Sequence, residues 1–246
     1  MLPLQVYHDA PLDGPTNMAR DEHLLYSSAV SAAALRIYGW TPPTISLGYF
    51  QRYAAVAELP PEVRDLAVVR RPTGGGAILH DREVTYCLVV DGRLPIAKQA
   101  PAALYELAHV CWREAIAGEE PRAELAPAEL PFPSPRTGPF FCFQKPGRTD
   151  LVVGEDKLLG SAQRRIPGRV LQHGSLLLGR RFAVHPGGHL HEPPAKTVSR
   201  WVAAFVAGMA AALGLEAQPM LWDAEQLADV AVRGEKYASP EWLRLR

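Results

Sequence analysis

Apolar and polar residues follow one another in patterns that predict most elements of the chain. Residues 15–36 combine capping residues with an apolar stripe and predict an opening helix. Alternation over 35–40 predicts a half-buried strand, which the double proline at 42–43 ends, and 44–50 is expected to return as its hairpin partner. Four side chains of this hairpin are expected to share one face or to line one pocket: Arg36, Tyr38, Trp40 and Ser46.

Residues 68–90 contain the most distinctive pattern. An apolar run ends in Arg70 and Arg71, three glycines follow at 74–76, and a second apolar run begins after His80-Asp81. The pattern predicts a strand, a tight loop and a strand, with the glycines placed where backbone takes positive φ or a ligand approaches closely. Arginines beside exposed N–H groups would form a pocket for a carboxylate or phosphate. A hairpin turn with two solvated arginines is the alternative.

The second half of the chain alternates strand patterns with helix patterns. Six prolines within 119–139 exclude a helix and a central strand, so this stretch is expected to be a long surface segment, either a lid or a linker. The remaining elements are predicted as a helix over 101–117, a hairpin over 151–159 with its turn at 154–156, a strand continuing over 160–165, a strand over 169–178, and helices over 198–213 and 223–232. An opening helix, a mostly antiparallel sheet and closing helices make an α+β protein.

Composition narrows the class of protein. A length of 246 residues suits one large domain over 1–246. Lys+Arg equals Asp+Glu at 26 each, which argues against nucleic acid or an anionic membrane as a partner. No apolar run approaches about 20 residues, and the first residues lack the features of a signal peptide. Three cysteines without metal-like spacing predict free thiols and a cytoplasmic location.

Five blocks in order resemble the biotin/lipoate protein ligase and octanoyltransferase superfamily over residues 15–180. They are Asn17-Met-Ala-Arg-Asp-Glu22, Ser46-Leu-Gly-Tyr-Phe-Gln51, Arg70-Arg-Pro-Thr-Gly-Gly-Gly-Ala-Ile-Leu-His-Asp81, Lys157-Leu-Leu-Gly-Ser-Ala-Gln-Arg-Arg165 and His173-Gly-Ser-Leu-Leu177. The resemblance implies a fold like that of class II aminoacyl-tRNA synthetases and biotin ligases, with mostly antiparallel sheets flanked by helices. It also implies that a medium-chain acyl group is held in a tunnel and delivered to a lysine of a lipoyl-carrier protein.

Two chemistries compete within this superfamily. Lipoate–protein ligases activate a free acid with ATP and Mg through an acyl-adenylate. Octanoyltransferases take octanoyl from acyl carrier protein through a cysteine thioester and need no cofactor. The resemblance to transferases acting on the glycine-cleavage H protein favours the second, since Cys142 lies 15 residues before Lys157, Glu83-Val-Thr-Tyr86 follows His80-Asp81, and little chain remains for an accessory domain. The triple glycine at 74–76 is a departure, because that branch typically has Gly-Gly-Arg.

The resemblance assigns the roles of the site residues. Cys142 is expected to attack the octanoyl thioester, and Lys157 to lower the pKa of its thiol toward neutrality. Backbone N–H groups of 74–76 or 160–162 are expected to hold the oxyanion. The residues expected to bind the substrate are Arg71, Thr73, Gly74, Gly75, Gly76, His80, Gly160, Ser161, Ala162 and His173.

Each role has a structural alternative. Cys142 between phenylalanines would otherwise be a buried, inert thiol, and Lys157 beside a turn would otherwise be solvated. For His80 we favour orienting the loop over chemistry, and for His173 a structural role is equally expected. His185, His189 and His191 lie close in sequence, yet we expect surface histidines rather than a metal site, because no cysteine or clear acidic partner accompanies them. A degenerate, non-enzymatic scaffold for a lipoyl domain is the third hypothesis, against which the intact motifs argue.

Overall fold

The computed structural model of the protein describes residues 1–131 and 138–246. Its α-helices are α1 (Gly14–Tyr26), α2 (Pro61–Arg64), α3 (Pro101–Ile116), α4 (Ala195–Leu213), α5 (Ala224–Ala238) and α6 (Pro240–Leu243). Its strands are β1 (Pro3–His8), β2 (Ala33–Tyr38), β3 (Thr44–Leu47), β4 (Ala67–Arg70), β5 (Ile78–His80), β6 (Glu83–Asp91), β7 (Glu124–Leu125), β8 (Leu151–Val153), β9 (Asp156–Ile166), β10 (Arg169–Leu177) and β11 (Glu216–Met220). Short 3₁₀ helices cover Tyr53–Glu58, Pro95–Lys98 and Cys142–Gln144.

A large mixed sheet forms the centre of the molecule. Its strand order is β11-β1-β2-β6-β10-β9-β8-β7. The pairs β11–β1 and β1–β2 are parallel, and every pair from β2 to β7 is antiparallel. Helices cover this sheet, which confirms the α+β class and the mostly antiparallel character expected from the sequence.

Hydrophobic packing occurs on both faces of the large sheet. Trp112 of α3 stacks on Phe205 of α4 with ring centroids 4.1 Å apart, and both pack with alternate residues of β2 and β6. The opposite alternation of the same strands packs under α1 and α5, where Met18 and Tyr237 are buried. Since β6 is buried on both faces, its residues 86–90 form a continuous apolar run rather than an alternating one.

The expected hairpin between 35–40 and 44–50 does not form. Strand β3 instead lies in a separate sheet of order β4-β3-β5, parallel to β4 and antiparallel to β5, with its own apolar cluster. The glycine loop therefore is not a hairpin turn either, because β4 and β5 flank β3 from opposite sides. It crosses one end of the small sheet, and Gly75 has the expected positive φ of 92°.

Other predicted elements are confirmed with small shifts, and two are corrected. The helices α3, α4 and α5, the β8–β9 hairpin and strand β10 lie where the sequence predicts them. The opening helix ends at Tyr26, not at residue 36, because Ala33 and Ala34 belong to the buried strand β2 and tertiary packing overrides their helix propensity. The proline-rich stretch contains β7, which pairs with β8, while its residues 132–137 lie outside the described part of the chain.

Within the described part of the chain, no helix is long and apolar enough to cross a membrane.

Candidate active site

A cavity of about 490 Å³ lies where the glycine loop meets strand β9 and the end of β10. This volume is typical of pockets that enclose small organic ligands. Tyr38, Trp40 and Ser46 line it as expected, whereas Arg36 is buried under α1 instead. Among the predicted site residues, those that line the cavity are Arg71, Gly74, Gly75, Gly76, His80, Cys142, Lys157, Gly160, Ser161, Ala162 and His173. Thr73 is buried behind the wall.

Cys142 is attached to the glycine loop by its backbone. Its N–H donates to Ala77 O at 2.9 Å, and Ala77 N–H donates to Phe140 O at 2.7 Å. A Cβ atom on Gly76 would lie 3.0 Å from Cys142 N, so an arginine at this position would require the cysteine segment to shift. The third glycine, which departs from the transferase pattern, therefore provides the space in which Cys142 is seated.

Lys157 is buried, so the alternative of a solvated hairpin lysine is wrong. Its Nζ lies 2.8 Å from Asp150 Oδ2 and 5.0 Å from the centre of the Phe143 ring. Its side chain passes directly over Gly160, where a Cβ atom would come within 2.1 Å of Lys157 Cε. Burial lowers the pKa of Lys157, but the charge and hydrogen bond of Asp150, joined by the charge of Cys142 once that thiol ionises, more than offset this, and the net pKa is raised. Lys157 is therefore a buried ammonium on the cavity wall.

Cys142 differs from the other two cysteines because its side chain is half-buried, while Cys87 and Cys111 are buried. Burial raises the pKa of the Cys142 thiol, and the charges of Lys157 and Arg71 lower it by less than burial raises it. The expected shift of this pKa toward neutrality is therefore not found in the free protein. The thiol is neutral at rest, and the two cations favour the thiolate once it forms.

The alkylation rate of Cys142 by iodoacetamide is expected to rise with pH through about pH 9 without a plateau near neutrality, because only the thiolate reacts and burial holds its pKa above the ordinary value. Alkylation measured by intact mass, with Cys142→Ala as the blank, checks this. Lys157→Met is expected to move the rise to still higher pH. In the wild-type protein the charge of Lys157 lowers the pKa of the Cys142 thiol, and the substitution removes that charge. A plateau at neutral pH would contradict the prediction.

The two arginines before the glycine loop have different roles, and neither is solvated. Arg70 does not contribute to an anion pocket, because its guanidinium donates to the carbonyls of Gly48, Tyr49, Gln51, Trp242 and Leu243. It fastens the last helix to the small sheet.

Arg71 lies on the cavity wall with every donor in use. Nε donates to Thr73 Oγ1, and one terminal nitrogen donates to the carbonyl and hydroxyl of Ser46. The other terminal nitrogen donates to Gly74 O at 2.7 Å and Gly76 O at 2.6 Å. Burial lowers the pKa of Arg71 to about 10, so the group stays charged at neutral pH. Its charge acts on the cavity through space, since its N–H groups are committed to the protein.

The amide N–H groups of the glycine loop have a complementary property. Over residues 1–131 and 138–246, no acceptor pairs with the N–H of Gly74, Gly75 or Gly76. Successive unpaired amides at a cavity wall suit a developing oxyanion or an anionic group. The loop is therefore available for the oxyanion role that the sequence predicts.

His80 is held between a carboxylate and a hydroxyl. Its Nδ1 lies 2.7 Å from Glu83 Oε1, and its Nε2 lies 2.7 Å from Ser46 Oγ. Trp40 stacks on the imidazole with ring centroids 3.8 Å apart. Burial lowers the pKa of His80 despite the nearby Glu83, so the ring is neutral at physiological pH. These contacts suit an orienting role for His80, as the sequence analysis favours.

His173 has the same arrangement on the other side of Arg71. Its Nδ1 lies 3.0 Å from Asp21 Oδ2, and its Nε2 lies 2.7 Å from Thr73 Oγ1. Although burial raises the pKa of Asp21, the hydrogen bond to His173 and the charge of Arg36 keep that pKa below its usual value. The carboxylate is therefore ionised above about pH 4.

Sequence reasoning missed four buried polar residues near the cavity: Asp21, Glu83 as the partner of His80, His109 and Asp150. His109 connects the helix α3 to Ser161, whose Oγ lies 2.7 Å from His109 Nε2 and 2.7 Å from Tyr86 Oη. Burial lowers the pKa of His109 to about 4. The signal for Asp21 and Glu83 was present, since both lie within the quoted motifs, but spacing does not reveal which histidine each one meets.

The histidines at 185–191 do not behave alike. His185 is buried, with Nε2 2.6 Å from Leu79 O, so it is not a surface histidine. His189 and His191 lie with ring centroids 4.7 Å apart and are more accessible. No group of three or more His, Cys, Asp or Glu residues suited to a metal ion occurs among the described residues.

The amino-acid sequence is similar to a known protein family and to individual members of it. Residues 13–213 match the model of the lipoyl protein ligase A/B catalytic domain. The chain is 34% identical over 266 residues to the octanoyltransferase LipM of Kyrpidia tusciae, covering 92% of this chain and 93% of that protein. It is 31% identical over 268 residues to the LipM of Halalkalibacterium halodurans, covering 94% of each.

Two solved structures share the fold. A putative lipoate protein ligase from T. acidophilum superposes with a TM-score of 0.79 at 16% identity, covering 100% of both chains. A lipoate-protein ligase A bound with ATP superposes with a TM-score of 0.78 at 15% identity, covering 99% of both chains. These likenesses confirm the ligase-type fold expected from the sequence.

Proposed function

Because the chain belongs to the lipoyl protein ligase A/B catalytic domain family, and its curated relatives are octanoyltransferases, we propose that it transfers octanoyl to lysines of lipoyl-domain proteins. The reaction belongs to lipoate biosynthesis. The observation that carries the mechanism is the position of Cys142, half-buried on the cavity wall beside Lys157 and seated on the glycine loop.

The transfer takes two steps that balance without a further reactant. Cys142 loses its proton and its Sγ attacks the thioester carbonyl of the donor. The new C–S bond forms, the bond to the donor's sulfur breaks, and the donor leaves as a thiol with the proton. The neutral amine of the acceptor lysine then attacks the acyl-cysteine, an amide forms, and Cys142 is released as the thiol. Amide formation from a thioester is downhill, so we propose that no cofactor is required.

The cavity supports both parts of the substrate. Apolar side chains of Met18, Ile78 and Ala102 line it and suit an alkyl chain, which gains about 0.8 kcal/mol per buried CH₂. The unpaired amides of the glycine loop suit the oxyanion of each tetrahedral intermediate, and the charges of Lys157 and Arg71 favour the thiolate leaving group.

An ATP-dependent lipoate ligase, which would need Mg, is the second candidate. The observation in its favour is the same row of unpaired amides, which suits a phosphate as well as an oxyanion. The commitment of all five Arg71 donors to the protein argues against it, because no N–H of this guanidinium remains for a phosphate.

The finer assignments are also proposals. We propose acyl carrier protein as the octanoyl donor and a lipoyl-domain protein such as glycine-cleavage H protein as the acceptor, without nucleic acid or membrane as a partner. We propose one catalytic domain over 1–246, working in the cytoplasm, where a reducing environment keeps Cys142 as a free thiol.

Incubation with octanoyl-acyl carrier protein and no ATP is expected to add one octanoyl group to the protein, with Cys142→Ala unchanged. Intact mass measures the adduct, and addition of a lipoyl domain should remove it and acylate the domain. No adduct in this arm, with acyl-adenylate formed once lipoate, ATP and Mg are supplied, would replace the transferase by the ligase. Inactivity in both arms would leave the scaffold hypothesis.

A further inference from the structure

Arg71 is a buried cation whose counter-charge is not in direct contact with it. Each of its five donors ends on a neutral oxygen, and within the described part of the chain it forms no ion pair. A buried charge is costly unless it is hydrogen-bonded and compensated. Two buried carboxylates, Asp21 and Glu83, lie at the far ends of hydrogen-bond chains that start at Arg71, each beyond a hydroxyl and an imidazole. Asp21 is also paired directly with Arg36, at 2.8 Å.

The first connection is the Thr73 chain, which we define as Thr73, His173 and Asp21. Arg71 Nε donates to Thr73 Oγ1 at 3.1 Å, and this oxygen lies 2.7 Å from His173 Nε2. On the far side of the imidazole, His173 Nδ1 lies 3.0 Å from Asp21 Oδ2. All three members are buried.

The second connection is the Ser46 chain, which we define as Ser46, His80 and Glu83. Arg71 donates to Ser46 Oγ at 3.2 Å, this oxygen lies 2.7 Å from His80 Nε2, and His80 Nδ1 lies 2.7 Å from Glu83 Oε1. Ser175 also donates to Glu83 Oε1, at 2.8 Å. The two chains thus reach the same guanidinium with the same order of groups.

The proton positions follow from donor and acceptor capacity. An ionised carboxylate only accepts, so each Nδ1 carries a proton and donates it. Arg71 can only donate, and among the described residues the proton of each hydroxyl meets no acceptor other than Nε2, so it is directed there. Both imidazoles are then neutral with the proton on Nδ1, which also avoids a second cation beside Arg71.

The fixed orientation of Arg71 determines two backbone directions in the loop. Its terminal nitrogen holds the carbonyls of Gly74 and Gly76. In a planar trans peptide the next N–H points opposite to the carbonyl. The Gly75 N–H is therefore turned away from Arg71, where the described residues offer it no acceptor, and the Ala77 N–H is turned toward Phe140 O, which holds the Cys142 segment.

We propose that the Thr73 chain and the Ser46 chain are positioning devices that hold Arg71 in one orientation and, through it, aim the Gly75 amide and the Cys142 segment at the reacting carbonyl. The identity of the reacting carbonyl as that of an octanoyl thioester rests on the proposed function. Neither chain needs to touch the substrate, and neither moves a proton during the reaction.

The first test does not depend on activity. Nitrogen-15 NMR of the wild-type protein at neutral pH is expected to show His80 and His173 both neutral, with the proton on Nδ1 and with Nε2 unprotonated. The Gly75 amide resonance is expected to shift in Thr73→Val and to return in Thr73→Ser, which keeps the hydroxyl. A protonated ring, or the proton on Nε2 of either one, would overturn the proposal.

The second test uses turnover with octanoyl-acyl carrier protein. Thr73→Val is expected to lower kcat about 10²-fold while KM changes little, because misplacement of the catalytic groups has effects of this size. The matched control is Thr44→Val, another buried threonine, whose hydroxyl donates only to Pro42 O. Ser46→Ala should lower kcat similarly and serves if Thr73→Val does not fold.

The positioning proposal would also be overturned by equal kcat values for Thr73→Val and Thr44→Val. The same holds if Thr73→Val lowers kcat and Thr73→Ser does not restore it. If wild type itself transfers no octanoyl, the proposed function fails, and the NMR result alone decides on the two chains. The two failures are thereby distinguishable.

Discussion

Cys142→Ser is expected to lower octanoyl transfer to a lipoyl domain on the order of 10³-fold or more, which is the range found when a covalent nucleophile is replaced. The serine hydroxyl has nearly the same size and keeps the backbone contacts of residue 142 with Ala77. It does not ionise in the range where a thiol does, and Lys157 and Arg71 cannot make up this difference. Transfer is measured by mass of the acceptor domain under single-turnover conditions.

Cys111→Ala provides the matched control, because Cys111 is a buried thiol on α3 whose pKa burial raises to about 11. Its replacement should leave transfer unchanged while slightly lowering the free energy of unfolding. Retention of more than about a tenth of the wild-type rate in Cys142→Ser would remove the nucleophilic role from this residue, because such a loss corresponds to only about 1.4 kcal/mol of barrier.

Lys157→Met is expected to have a large effect on stability as well as on rate. The substitution leaves Asp150 as an unpaired, nearly buried carboxylate, since the two side chains are only 5% and 10% exposed. Breaking a buried pair in this way lowers the free energy of unfolding by about 3–5 kcal/mol. The rate should fall on the order of 10²-fold, because an electrostatic contact to the reacting thiolate is lost.

The double variant Lys157→Met/Asp150→Asn separates the two effects. Removal of the unpaired charge is expected to restore most of the lost stability in urea unfolding, while the transfer rate stays low. Lys196→Met, at an exposed lysine on α4, should change neither quantity. Recovery of the rate together with the stability would mean that Lys157 acts on the fold alone.

Local patterns were sufficient to predict much of the fold. The β8–β9 hairpin and helix α3 follow from short turns and an apolar stripe, and both occur as expected. The predicted pairing of β3 with β2 was wrong, because β3 pairs with β4 and β5 in the small sheet and not with the strand that precedes it in sequence. Strands β1 and β11 were missed, since they pair in parallel across the full length of the chain and β11 carries Pro219 at an edge.

The residues of the candidate site could be predicted from the sequence, but their hydrogen-bond partners could not. Resemblance identified Cys142 and Lys157, and the structure brings both to one cavity. The partners of the histidines were not predictable, because Asp21 and His173 are separated by 152 residues and meet only after the large sheet has formed. The pKa of Cys142 also differed from expectation, since burial is a property of the folded cavity and not of the local sequence.

The attachment of Cys142 to Ala77 has a consequence for how such enzymes can diverge. The proposed nucleophile follows a proline-rich stretch, yet its place is set by two backbone hydrogen bonds between the cysteine segment and Ala77, directly after the glycine loop. Insertions and deletions before Phe140 can therefore accumulate without displacing the thiol, whereas a side chain gained at Gly76 displaces it at once. In related sequences we expect the residue at 76 and the cysteine segment to change together, while the length of the preceding stretch drifts independently.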